Sequence, residues 1–178
     1  MWRRRVRRDP RRGRGIAFVA LGLGANQDHR REVLGRAVRR LAVFLDQPRV
    51  APLYETEPVS DVPQGLFLNT ALTGETTLGP ADLLAVAKAV EMAAGRRRGE
   101  RWGPRPLDVD LLLYNDLVRT DPELTLPHPR LSQRLFQLEP LAQIAPEQPV
   151  PPTGTTVREL RDRLGDKAGH PINWSPLG

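Results

Sequence analysis

A chain of 178 residues without cysteine suits one domain with a core of Leu, Val, Ile and Ala, and it excludes disulfide and thiolate chemistry. The net charge of +6 is local: residues 1–15 hold eight arginines against Asp9, a net +7, which leaves −1 for residues 16–178. A near-neutral body argues against a nucleic-acid-binding domain, and the first fifteen residues, almost without apolar side chains, are expected to form a disordered basic tail ahead of one domain over 16–178.

Residues 16–23 form an apolar run with β-branched members and glycines at 22 and 24, which predicts a central strand ending in a glycine turn. Behind the basic segment the same run has the length of a signal-peptide core, yet it is far too short to span a bilayer. The strand is the preferred reading, because the fold described below needs it. From His29 to Leu45 the positions Val33, Leu34, Ala37, Val38, Leu41, Ala42 and Leu45 recur at three and four, with arginines on the other face. This predicts an amphipathic helix, closed by Pro48. Residues 49–56 and 67–76 predict two strands around a Pro-containing loop, 57–65, too long for a tight hairpin.

Pro80 opens a second helix bearing Leu83, Leu84, Ala87, Val90 and Glu91, with Gly95 as its stop. An arginine-rich segment, 96–105, runs into a strand over 107–114. Leu126 to Pro129 is extended and a helix follows to about Ala142. A Pro-rich stretch, 146–152, precedes a last short helix over 156–164. The order β-α-β-β-α-β predicts an α+β, ferredoxin-like sheet with helices on both faces and extra C-terminal helices.

The strongest chemical signal lies in Arg101-Trp102-Gly103-Pro104-Arg105-Pro106-Leu107-Asp108-Val109-Asp110. Asp108 and Asp110, two apart on a strand, project to one face with Cα atoms roughly 6.5 Å apart. Leu107, Val109, Leu111 and Leu113 are expected to anchor the opposite face in the core. Alone, such an acid pair reads more readily as a solvated strand face paired with arginines. Here Arg96, Arg97, Arg98, Arg101 and Arg105 lie just upstream. Carboxylates for a hard divalent cation beside guanidinium forks for phosphate oxygens form the combination a polyphosphate requires.

This segment resembles the signature of the 6-hydroxymethyl-7,8-dihydropterin pyrophosphokinase (2-amino-4-hydroxy-6-hydroxymethyldihydropteridine diphosphokinase) family of folate biosynthesis. The resemblance extends over Ala20 to Asn26, Tyr54 to Val59, Phe67-Leu68-Asn69, Leu126 to Arg130 and Arg134-Leu135-Phe136, and it covers nearly all of residues 16–165. It implies transfer of pyrophosphate from ATP to 6-hydroxymethyl-7,8-dihydropterin, giving AMP and the pterin diphosphate. It further implies two Mg²⁺ ions held by Asp108 and Asp110, a cytoplasmic monomer, and neither a specific nucleic acid nor a membrane as partner.

By the same resemblance Arg96 and Arg105 act with Asp108 and Asp110 in catalysis. Lys88, Glu91, Arg98, Trp102, Leu111, Thr125, His128 and Arg134 serve ATP. Thr56, Glu57, Val59, Phe67, Asn69, Trp102 and Phe136 serve the pterin, with Phe67 and Phe136 sandwiching its ring. The loops 57–65 and 95–103 are expected to close over the substrates. Read from the residues alone, Phe67 and Phe136 fit a core, Asn69 a turn and His128 a loop cap. Three positions depart from the family pattern: Glu57 replaces a proline, Glu123 replaces an arginine of some members, and the turn after Asn26 lacks a Leu-Gly pair.

Overall fold

A computed structural model describes residues 15–58, 63–95, 106–165 and 171–177. The long elements follow the order β1 (Ala17–Ala25), α1 (Arg30–Ala42), β2 (Asp46–Val50), β3 (Leu53–Thr56), β4 (Phe67–Thr76), α2 (Pro80–Ala93) and β5 (Asp108–Tyr114). After them come the short ribbon β6 (Arg119–Thr120) with β7 (Thr125–Leu126), and a 3₁₀ turn, Leu131–Gln133, leading into α3 (Leu135–Ile144). The short pair β8 (Pro149–Val150) and β9 (Thr155–Thr156) precedes α4 (Val157–Leu164), and β10 (Pro171–Ile172) ends the described chain. The main sheet runs β10-β3-β4-β1-β5, with β2 also on β4, and its pairings are antiparallel.

β1 lies at the centre because it is apolar on both faces, and Val19, Ala20 and Leu21 are fully buried. Val19, Leu21 and Leu23 pack against Leu34, Ala37, Val38 and Leu41 of α1 and Leu83, Ala87 and Val90 of α2. The opposite face carries Ala20, Ala71 and Leu112 under Leu138, Leu141 and Ile144 of α3 and Val157 and Leu160 of α4. Each fully buried leucine on these faces contributes about 1.5–3 kcal/mol. Helices therefore cover both faces, as expected. Thr156 caps α4 through a reciprocal bond with Glu159, which satisfies two of the orphan donors at that terminus.

Several expectations need correction. Gly22 and Gly24 do not form a turn; β1 continues through both to Ala25. A Cβ at Gly24 would lie 2.8 Å from Asn69 Oδ1, so close approach rather than chain reversal accounts for that glycine. The first helix ends at Ala42, and Pro48 lies inside β2, after Gln47 at φ +50° and within a register shift between Asp46 and Arg49. The single strand expected over 49–56 is two strands, β2 and β3, interrupted at Ala51 and Pro52. Leu113 leaves the face of Leu111: the register jumps from Ala20↔Leu113 to Leu21↔Leu111, so Leu112 is an extra residue and Leu113 joins the α3 side. The expected basic tail lies outside the described residues except for Gly15.

Candidate active site

The register of the sheet brings the sequence motifs together. Gly24 of β1 stands opposite Asn69 of β4 on one side and Asp108 of β5 on the other. Gly22 likewise stands between Ala71 and Asp110. Directly opposed residues of an antiparallel pair share a face, so Asn69, Asp108 and Asp110 all project toward the α3 side of the sheet. Asn69 and Asp108, two strands apart, are separated by about 10 Å at the backbone. The glycines between them put no side chain into that space.

On the β4 side, Asn69 is only 5% exposed and donates Nδ2–H to Thr56 Oγ1 at 2.7 Å. It sits within a strand, which excludes the turn reading. Phe67 is paired with Thr56 across β3 and β4 and is half-buried, outside both core clusters. Phe136, at the start of α3, is half-buried too, with the Arg134 guanidinium 5.5 Å from its ring centroid. Asn26, just past β1, donates to Gln64 Oε1 at 2.8 Å and thus fastens the end of the 57–65 segment beside this row.

On the β5 side, Asp110 Oδ2 accepts from Arg134 at 3.1 Å and from Gln137 Nε2 at 2.7 Å. His128 Nε2 stands 3.7 Å from the same oxygen. The segment reaches this point because the His128 N–H donates to Leu112 O at 2.9 Å, docking it on β5. Burial, reinforced by Arg134 and Arg130, lowers the His128 pKa to about 4 against the opposing pull of Asp108, so the ring is neutral at pH 7. Its Nδ1 accepts from the Arg130 N–H at 3.3 Å, and its Nε2 lies 3.5 Å from Arg134 Nη1. Burial also lowers the Arg134 pKa, and Asp110 opposes that shift.

The remaining expected residues fall elsewhere. Glu91 is buried and accepts the Val109 N–H at 2.7 Å, between the two aspartates. Lys88 is exposed on α2, Glu57 and Glu123 are exposed, and Thr125 is half-buried in β7. The Leu111 side chain is in the core on the α1–α2 side. Val59, Arg96, Arg98, Trp102 and Arg105 lie outside the described residues, as do 59–62 and 96–103 of the two loops expected to close. The sequence reading missed Gln137. Its signal was an amide spaced with Leu138 and Leu141 on an otherwise apolar helix face, one turn after Arg134.

A model of the family described as 7,8-dihydro-6-hydroxymethylpterin-pyrophosphokinase (HPPK) matches residues 20–146. The chain belongs to this family. It is similar to the 2-amino-4-hydroxy-6-hydroxymethyldihydropteridine pyrophosphokinase of Methylorubrum extorquens, at 42% identity over 146 residues, covering 81% of this chain and 91% of that protein. The Aquifex aeolicus protein of the same name is 40% identical over 131 residues, covering 74% of this chain and 82% of the relative. Among solved structures, Plasmodium falciparum HPPK-DHPS with pteroate superposes with a TM-score of 0.65 at 16% identity, a likeness of fold. The match covers 83% of this chain and 42% of that longer one, so the HPPK chain here spans less than half of its length. As a family member the chain is an ATP-dependent diphosphotransferase of folate biosynthesis.

Proposed function

We propose that this chain transfers the terminal pyrophosphate of ATP to the hydroxymethyl group of 6-hydroxymethyl-7,8-dihydropterin on the α3 side of its sheet. The observation that carries the residue-level reading is the row Asn69–Gly24–Asp108, with Asp110 one step along: a buried amide, an open glycine floor and paired carboxylates on one face. The strand order β3-β4-β1-β5, with α1 after β1 and α2 after β4, supports a ferredoxin-like unit extended by C-terminal helices.

Asp108 and Asp110 suit Mg²⁺, which takes a few carboxylate oxygens and draws its other ligands from water and phosphate. The donor set fits: both groups are hard oxygen ligands, and the facing positions of β1 are glycines. Among the described residues no cluster of three His, Cys, Asp or Glu forms an all-protein cage, which suits a cation shared with a substrate. Our reading is two Mg²⁺ ions, which when bound would shield the triphosphate charge and orient its oxygens.

The hydroxymethyl oxygen attacks the β-phosphorus, the bond from that phosphorus to the α,β-bridging oxygen breaks, AMP leaves with the bonding pair, and the hydroxyl proton passes to water. Alignment and charge stabilisation carry such a transfer without a strong general base. Asn69 reads the hydrogen-bonding edge of the pterin while Thr56 fixes its amide. Phe67 and Phe136 supply the ring contacts, and Glu57, Val59 and Trp102 serve the same substrate. Arg134 adds a fixed positive charge beside Asp110, and Arg96 and Arg105 stabilise the charge that moves toward AMP. Arg98, Thr125 and His128 complete the ATP side, whereas Lys88 and Glu91 on α2 and the Leu111 side chain belong to the opposite, α1–α2 face. A monomer in the cytoplasm, with residues 1–15 a tail outside the domain, belongs to the same reading. The cysteine-free composition supports the compartment.

Purified chain incubated with ATP, Mg²⁺ and the pterin should release AMP only when all three are present, as followed by chromatography. ATP binding without AMP release would mark a catalytically dead relative or another acceptor, and failure to bind either substrate would overturn the reading.

A further inference from the structure

We propose that Gln137 is a positioning residue for Asp110, its amide holding the carboxylate in the orientation that takes a divalent cation. The proposal rests on the pyrophosphokinase reading of the acid pair and adds a residue which that reading does not contain.

Gln137 lies in the first turns of α3, beside core residue Leu138, and is 4% exposed. Its Nε2 donates to Asp110 Oδ2 at 2.7 Å, and Arg134 addresses the same oxygen at 3.1 Å. Gly22 stands beneath this pair, close enough that a Cβ there would lie 3.6 Å from the amide nitrogen, in ordinary contact with it. The other end of the amide, Oε1, is buried and has no hydrogen-bond partner among the described residues.

Turning the amide over would not relieve that oxygen's situation. An acceptor would then face Oδ2 at the same short distance, with no proton between them. The charge on Asp110 therefore fixes which way the amide points. A leucine or methionine would fill a comparable space without burying an orphaned oxygen, so the specific contribution of Gln137 is its N–H to Asp110. Two donors on one oxygen fix the rotation of the carboxylate, and with it the direction of the second oxygen. Without the amide, the carboxylate is freer to turn and meet the Arg134 guanidinium with both oxygens, a pairing that competes with a cation.

The test uses Gln137→Met, unbranched and of similar length, in the full chain. Mn²⁺ binding is titrated by electron paramagnetic resonance in the presence of α,β-methylene-ATP. The Mn²⁺ dissociation constant should rise about tenfold, the scale of a lost partner to a metal ligand. In turnover assays half-saturating Mg²⁺ should rise by a similar factor while KM for the pterin stays unchanged. A folded variant with wild-type Mn²⁺ affinity, or with pterin KM raised as much as the metal requirement, overturns the proposal. Should the variant not fold, the wild type decides: the Gln137 side-chain amide signal in NMR should shift when Mg²⁺ joins the nucleotide analogue, and an unmoved signal overturns the proposal. Wild type that binds the nucleotide analogue but no Mn²⁺ overturns the acid-pair reading itself, and this proposal with it.

Discussion

Glu91 Oε1 accepts the backbone N–H of Val109 at 2.7 Å, from a position only 7% exposed on α2. Val109 separates Asp108 from Asp110, so a helix on the far side of the sheet grips the strand at the point where the two carboxylates diverge. Glu91→Ala leaves the Val109 N–H without this acceptor, and urea denaturation should register a loss of about 1–3 kcal/mol. Glu91→Gln, which retains an acceptor oxygen, should recover much of it. Unchanged stability in Glu91→Ala together with weakened ATP binding would instead assign Glu91 to the nucleotide alone.

Gly24→Ala tests the floor of the site. The new Cβ would sit 2.8 Å from Asn69 Oδ1, and Asn69 is tied to Thr56, so the amide must move. We expect KM for the pterin to rise about tenfold, the equivalent of one hydrogen bond misplaced, with a smaller change in KM for ATP. Equal effects on both substrates would count against Asn69 as the residue that reads the pterin.

Asp110→Ala removes a carboxylate oxygen addressed by both Arg134 and Gln137. Turnover should fall at least about a hundredfold, the scale of one lost transition-state stabiliser. Near wild-type turnover at saturating Mg²⁺ would rule out a metal-binding role for this residue.

The neutral His128 gives a pH dependence whose sign is fixed. Its folded-state pKa of about 4 lies below the ordinary 6.5, so between those values the unfolded chain holds a proton that the folded chain does not. The contribution to stability is whole above pH 6.5 and declines as the pH falls toward 4. Denaturation midpoints of the metal-free protein at pH 7 and pH 5 should differ more in the wild type than in His128→Gln. An equal fall in the two proteins would place the acid sensitivity elsewhere.

Much of this fold was legible in the sequence because its signals are local. The three-and-four spacing from Val33 to Leu41 gives α1, Pro80 at the first helical position and Gly95 at φ +94° bracket α2, and the alternation from Leu107 to Leu111 gives β5. The motifs around Asp108, Phe67 and His128 were legible for the same reason: each depends on residue types a few positions apart. Where the reading failed, the cause was a distant neighbour. Gly22 and Gly24 look like a turn until β4 and β5 flank them, and Leu113 looks like a core partner of Leu111 until pairing with β1 inserts Leu112 as a bulge.

By itself, then, the sequence determined the long elements and the acid pair, since periodicity, capping and spacing are properties of neighbouring residues, and its motifs carried the resemblance to the family. Only the tertiary structure decided that Gln137 donates to Asp110, that Glu91 holds Val109 and that Asn69 faces Gly24. Strand register and helix docking set those contacts. Both minimise free energy over the whole buried core, and no window of a few residues contains that information.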